Sequence, residues 1–164
     1  MRVAIITGAS SGLGREYARL ADARGGYDQI WAIARRAGRL KALACELGTP
    51  VRQVVLDLLD PSAMDELEDM LADAAAQAKL AGDALEVALL VNAAGLGKLG
   101  TYADVTRREV DAMVGLNCRV LVDVTQLALP YMRRGARLMQ IASSASFQPL
   151  PGLNVYAATK AFVR

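Results

Sequence analysis

The sequence predicts an α/β fold, a doubly wound parallel sheet in a single domain over residues 1–164, and three observations predict it. Short apolar runs alternate with longer amphipathic segments, which is the sequence form of repeated βαβ units. The runs are near-continuous in Val, Ile, Leu and Ala, as parallel strands covered on both faces require. A glycine-rich turn follows the first run directly and opens the first helical segment.

Taken in order, the runs place strands at Val3–Thr7, Gln29–Ala34, Val51–Leu56, Leu85–Asn92 and Arg137–Ala142. Helices are expected at Gly12–Arg24, Arg36–Leu47 and Pro61–Ala81, then as one long helix from Asp104 to Arg133, and last from Asn154 onward. Pro61 suits a first helical position with Asp60 as its cap. The alanine-rich stretch Ala72–Ala81 suits a helix better than a tether, and no internal repeat or linker marks a second domain.

A composition that is 54% hydrophobic over 164 residues buries a core and excludes global disorder. The net charge of +2 comes from mixed charges, with no like-sign block beyond Arg35, Arg36, Arg39 and Lys41, so neither nucleic acid nor a membrane surface is an expected partner. Cys45 and Cys118 lie far apart with no CxxC pair and no histidine, which argues against a metal site and predicts two buried free thiols. The amino terminus enters a strand pattern without a leader-like segment, and no eighteen-residue uncharged apolar stretch occurs, so a cytoplasmic location is the expectation.

The turn reads Thr7, Gly8, Ala9, Ser10, Ser11, Gly12, Leu13, Gly14. In a dinucleotide-binding turn the first glycine permits the bend, the second lets the backbone approach a pyrophosphate, and the third lets helix pack on strand. Gly8, Gly12 and Gly14 take those places, and the helix amino terminus offers free N–H groups to the anion. The Gly-x-x-x-Gly-x-Gly spacing resembles the signature of the short-chain dehydrogenase/reductase family more closely than other Rossmann fingerprints. That resemblance implies a Rossmann-like sheet with Ser10, Ser11 and Leu13 beside the cofactor.

Where an NAD site usually places a carboxylate at the end of the second strand, this chain has Arg35 and Arg36. A guanidinium suits a ribose 2′-phosphate, so NADP(H) is preferred over NAD(H). Arg35, the first basic residue after the strand, is the favoured phosphate ligand; Ser10 adds a hydroxyl, and Arg15 or Arg36 adds charge. For Arg36 and Arg39 the favoured reading is a solvated helix face. Asp57 matches the family position that meets the adenine amino group, beside an almost equal reading as a loop or capping carboxylate.

Tyr156 and Lys160 stand one helical turn apart, on one face of the last helix. Ser143, thirteen residues before Tyr156, ends the fifth strand, with Ser144 as its competitor. Asn92, Ala93, Ala94 and Gly95 close the fourth strand, and Asn117 falls within the long helix. These motifs, in this order, resemble the short-chain dehydrogenase/reductase family from Val3 to Arg164.

The resemblance implies a catalytic tetrad of Asn117, Ser143, Tyr156 and Lys160, with Asn92, Ala93, Gly95, Tyr156 and Lys160 also touching cofactor. A free phenol titrates at about 10, and a cation within about 4 to 6 Å lowers such a value by roughly 1 to 3 units. Lys160 supplies that cation, Ser143 polarises the substrate oxygen, and Asn117 holds a water that relays protons; for Asn117 a helix-kinking role beside Gly115 and Cys118 stands as the other reading.

The chain ends four residues beyond Lys160, whereas the family continues through further strands and a substrate loop. The expectation is therefore a fragment of a longer enzyme, with one side of the substrate pocket absent. The function expected is hydride transfer between NADP(H) and a small carbonyl or alcohol substrate, in a homo-oligomer, dimer or tetramer. A non-catalytic NADP(H)-binding protein and an inactive fragment are the alternatives. Leu96, Leu99, Phe147, Pro149 and Leu150 are candidates for an apolar substrate pocket, against ordinary loop packing.

Overall fold

The computed structural model describes residues 1–148 and 150–164. Five parallel strands, β1 (Arg2–Thr7), β2 (Gln29–Ala34), β3 (Val51–Val55), β4 (Glu86–Asn92) and β5 (Arg137–Gln140), form one sheet in the order β3-β2-β1-β4-β5. Strand order reverses between β1 and β4, and sheets of this kind open a crevice there, at the carboxyl ends of the strands. The helices are α1 (Gly12–Arg24), α2 (Ala37–Glu46), α3 (Ala63–Leu80), α4 (Arg107–Val114), α5 (Val120–Ala128) and α6 (Asn154–Val163).

Successive strand residues point to opposite faces, and helices cover both faces, so both sets are apolar. Val3, Ile5, Trp31 and Ile33 pack with α3 and α5 through Leu67, Leu71, Val120 and Val124. Ala4, Ile6, Ile30 and Ala32 pack with α1 and α2 through Ala18, Ala21, Leu40 and Leu43. In β4 the parity breaks: Val87 and Leu90 share one face, Leu89 and Val91 the other. The register against β1 steps from Val3↔Val87 to Ala4↔Leu89, so a bulge at Ala88 absorbs the extra residue and keeps both cores apolar.

Two helix boundaries depart from expectation for local reasons. The Asp60 carboxylate accepts bonds from the Ser62 N–H (3.0 Å) and hydroxyl (2.9 Å), closing a turn that holds Pro61 outside α3. The long helix expected over Asp104–Arg133 starts at Arg107 behind a capping box, in which the Thr106 hydroxyl accepts from the Glu109 N–H and the Glu109 carboxylate from the Thr106 N–H. It is then broken by a π turn at Gly115–Arg119 and ends in a 3₁₀ turn at Leu129–Tyr131.

By length and composition Arg107–Tyr131 is apolar enough to cross a membrane; here its Met113, Val120, Val124 and Ala128 are buried in the domain. The two cysteines are free, but they are not buried: Cys45 is exposed and Cys118 half-buried. Helix α2 buries Leu40 and Leu43, and Cys45, two residues on from Leu43, turns away from that stripe.

Candidate active site

The glycine turn is shaped by close backbone packing. Gly8 has φ +69°, and a Cβ there would stand 2.9 Å from the Ala93 carbonyl oxygen and the Ala94 backbone. A Cβ on Gly14 would stand 2.5 Å from the Gly8 carbonyl oxygen, so α1 sits directly on the end of β1. At Gly12 a Cβ would meet nothing within 4 Å, because that face opens into a cleft of about 330 Å³. Ser10, Ser11 and Leu13 line this cleft on one side, Asp57 and Arg35 on another, and Ala93 to Leu96 on the third.

At the cleft edge the two arginines take different partners. Arg36 donates from Nε and Nη2 to the Ser10 hydroxyl (3.1 and 2.8 Å) and from Nη2 to Ser11 (2.6 Å). Arg35, favoured from the sequence as the phosphate ligand, also lines the cleft, is 69% exposed and faces the Asp57 carboxylate at 3.6 Å. The order along the chain is no guide here, because Arg36 turns out of the extended line of β2 (φ −95°, ψ 89°) and directs its side chain back over the turn.

Helix α6 carries Tyr156 and Lys160 past the same loop. Gly95 and Leu96 line the cleft, and a Cβ on Gly97 would stand 2.9 Å from Tyr156 Cδ2, so the phenol ring lies flat against bare backbone. The Lys160 ammonium, with the residue only 6% exposed, donates to the Ile141 carbonyl at 2.6 Å and stands 6.0 Å from the Tyr156 ring centroid. Burial pushes its pKa below the ordinary lysine value. β5 stops at Gln140, two residues short of the expected Ala142, because β4 ends opposite it at Asn92; the Ile141 carbonyl is thus left to Lys160.

Ser143 caps the 3₁₀ turn Ser144–Ser146, its hydroxyl oxygen accepting from the Ala145 N–H at 3.2 Å. Ser144, its competitor, is exposed. Asn117 sits in the π turn, completely buried, and its amide grips the Leu96 residue on both sides: Nδ2 donates to the Leu96 carbonyl (2.8 Å) and Oδ1 accepts from the Leu96 N–H (2.9 Å). A π segment is a frequent mark of a functional position in a helix. The Cys118 thiol beside it is pushed up by burial.

Asn92, expected beside the cofactor, is not among the cleft-lining residues, nor are Tyr156 and Lys160. The strand parity of Asn92 turns its side chain to the α5 side, where Nδ2 donates to Thr125 Oγ1 and Gln140 Oε1, each at 2.9 Å. Two residues carry contacts that the sequence reading did not assign. Thr7, 1% exposed, accepts from the Ala93 and Ala94 N–H groups (3.1 and 3.0 Å) and ties the ends of β1 and β4 together. Thr159, adjacent to Lys160, bonds to Asn117. Of the candidate pocket residues, Leu99 and Phe147 are each 72% exposed, Leu96 lines the cleft, Leu150 is half-buried, and Pro149 lies outside the described residues.

A family model described as short chain dehydrogenase matches residues 2–164. Sulfoacetaldehyde reductase 2 of Chromohalobacter salexigens is 38% identical over 99% of this chain and 62% of its own length. An NADP-dependent 3-hydroxy acid dehydrogenase of Salmonella typhi is 34% identical over 99% of this chain and 62% of its own. A short-chain dehydrogenase from Sphingobium yanoikuyae, solved in complex with NADPH, superposes with a TM-score of 0.82 at 29% identity, covering 99% of this chain and 62% of that one. The chain thus spans less than two thirds of the length of each of these proteins.

Proposed function

Because the chain belongs to the short-chain dehydrogenase family, we propose that it transfers a hydride between NADP(H) and a carbonyl or alcohol substrate, with Tyr156 moving the proton. The observation that carries this reading is the loop after β4: Gly95 and Leu96 line the glycine-turn cleft while Gly97 backs the Tyr156 ring, so one strand end joins that cleft to a phenol and a buried ammonium. The residues fit the cofactor. The turn exposes backbone at Gly12, and Arg36 with Ser10 and Ser11 forms a cationic, hydroxyl-rich edge suited to a 2′-phosphate.

When bound, NADPH supplies the hydride for the carbonyl carbon. Tyr156 donates its phenolic proton to the substrate oxygen as the carbonyl is reduced and takes it back in the reverse direction. Lys160, held by the Ile141 carbonyl, keeps a positive charge on the phenol's side of the site. The Ala145 N–H occupies the acceptor side of the Ser143 hydroxyl, which orients its proton to be donated to the substrate oxygen where negative charge develops. Small-molecule substrates and a cytoplasmic setting go with this reading. So does self-association, for which exposed Val114, Leu129 and Phe162 offer apolar surface.

The test pairs two substitutions. Arg36→Ala is expected to weaken NADPH binding by about 10- to 100-fold, the range of a lost charge-assisted hydrogen-bond set, with NADH affinity nearly unchanged. Arg35→Ala is expected to change both affinities little. Tyr156→Phe is expected to lower carbonyl-dependent NADPH oxidation by about 10²- to 10⁴-fold while NADPH still binds. Equal small losses for the two cofactors in Arg36→Ala would remove the NADP(H) preference, and full turnover in Tyr156→Phe would remove the mechanism. NADPH binding without turnover in the unaltered protein would support a purely cofactor-binding role instead.

A further inference from the structure

We propose that Thr159 is a positioning residue for Tyr156: its hydroxyl joins the π turn carrying Asn117 to the backbone of Tyr156 and so fixes where the phenol stands relative to Lys160. This rests on Tyr156 being the proton carrier. Thr159 is 3% exposed, and its Oγ1 donates to the Tyr156 carbonyl at 2.7 Å while accepting from Asn117 Nδ2 at 2.9 Å. A helical threonine that bonds back to the carbonyl three residues earlier is ordinarily a local matter. Here the same oxygen also receives a bond from a residue 42 positions away in the chain, which turns a local bond into a tertiary link.

The link continues. The Asn117 amide grips Leu96 at both its N–H and its carbonyl, and the next residue, Gly97, is the surface against which the Tyr156 ring rests. Tyr156 is therefore held twice from one origin: by its carbonyl through Thr159, and by its ring through Leu96 and Gly97. Both paths meet at the buried Asn117. A hydroxyl has one proton to give, and Thr159 gives it to Tyr156, so removing the hydroxyl cuts the first path and leaves an Asn117 proton without its partner. The second path is left in place.

The experiment compares Thr159→Val, which keeps the branched shape without the hydroxyl, with Thr159→Ser, which restores the hydroxyl, and with Arg119→Ala, which alters an exposed residue of the same turn without touching either bond. Each is measured by hydrogen exchange of the α6 peptide, by NADPH affinity and by turnover. Thr159→Val should exchange α6 amides about tenfold faster and lower kcat by about tenfold or more, with NADPH affinity within about twofold. Thr159→Ser and Arg119→Ala should match the unaltered protein in all three. Wild-type exchange and kcat in Thr159→Val, or a Thr159→Ser variant as impaired as Thr159→Val, would overturn the proposal. Should Thr159→Val not fold, Thr159→Ala against Thr159→Ser carries the same comparison. If the unaltered protein shows no turnover, the oxidoreductase reading fails on that result, while the exchange data still decide whether Thr159 holds the Tyr156 helix.

Discussion

Replacing Gly14 by alanine adds one methyl group and should disturb both stability and cofactor binding. The new Cβ would stand 2.5 Å from the Gly8 carbonyl oxygen, 2.6 Å from its carbon and 2.9 Å from the Thr7 carbonyl oxygen. Ordinary contact begins at 3.4 Å, so the shortfall is about 0.9 Å (3.4 less 2.5), and all three opposing atoms are backbone that cannot rotate aside. The helix has to lift off β1, which places the cost near the upper end for overpacking, about 3 kcal/mol. Alanine's better helix propensity returns about 1 kcal/mol, leaving a net loss of about 2 kcal/mol. In a domain of this length that lowers Tm by about 4–8 °C.

Gly38→Ala supplies the control: it lies in α2 and its Cβ would meet nothing within 4 Å, so a gain of about 0.5 kcal/mol is expected. Thermal melts followed by circular dichroism, with NADPH titrations on the same samples, make the comparison. Gly14→Ala should also bind NADPH more weakly, since the displaced helix carries the cleft wall with it. A Gly14→Ala protein that melts at or above the unaltered protein and binds NADPH equally well refutes the steric argument.

Other expectations follow from caps and buried charge. Thr106→Ala removes one half of the α4 capping box and should cost about 1 kcal/mol, read from urea midpoints. The Glu109 carboxyl, bonded to Lys98 and to Thr106, is held down to about 2 from its ordinary 4.5. Its contribution is present above 4.5 and disappears as pH falls through about 2; acid unfolding of Lys98→Gln should therefore begin at higher pH than in the unaltered protein. For Lys160 the slope has the same sign but lies in the alkaline range. Burial lowers its pKa in the fold, the unfolded chain binds more protons below 10.5, and stability rises with pH across that interval. Lys160→Met should flatten that rise in chemical denaturation measured from neutral to alkaline pH.

Much of the fold was legible because apolar periodicity reports directly on burial. β2 and α1 fall where the residues placed them, Gln29–Ala34 and Gly12–Arg24, since each is bounded by a strong signal: the glycine turn, Gly25 and Gly26. The bulge at Ala88 left no mark, because Val87, Ala88 and Leu89 are all apolar whichever face they take. The π turn was hidden for a similar reason: a one-residue change in hydrogen-bond register within a helix does not alter composition. At the site, residue types and spacing located Tyr156, Lys160 and the glycine turn, whereas the bonding of Ser10 to Arg36 and not to Arg35 depends on one pair of backbone angles. Thr159 was masked by its neighbour Lys160, and only its contact with Asn117, distant in sequence, distinguishes it.

The π turn at Gly115–Arg119 has a consequence for how this chain tolerates change in length. A π turn is a local surplus of one residue relative to an α-helix. Deleting any one residue there lets α4 and α5 fuse into a continuous helix, shortening the path without breaking a single backbone bond. The fused helix keeps its two halves in nearly the same rotational phase, because the π turn already absorbs the surplus residue. Met113 on one half and Val120, Val124 and Ala128 on the other therefore stay turned to the core. A one-residue deletion is thus expected to spare the core and to strike the contacts that the π turn makes, those of Asn117 with Leu96. The surplus residue thus serves the loop and not the core: both halves of the helix face the core, and the π turn between them presents Asn117 to the loop after β4.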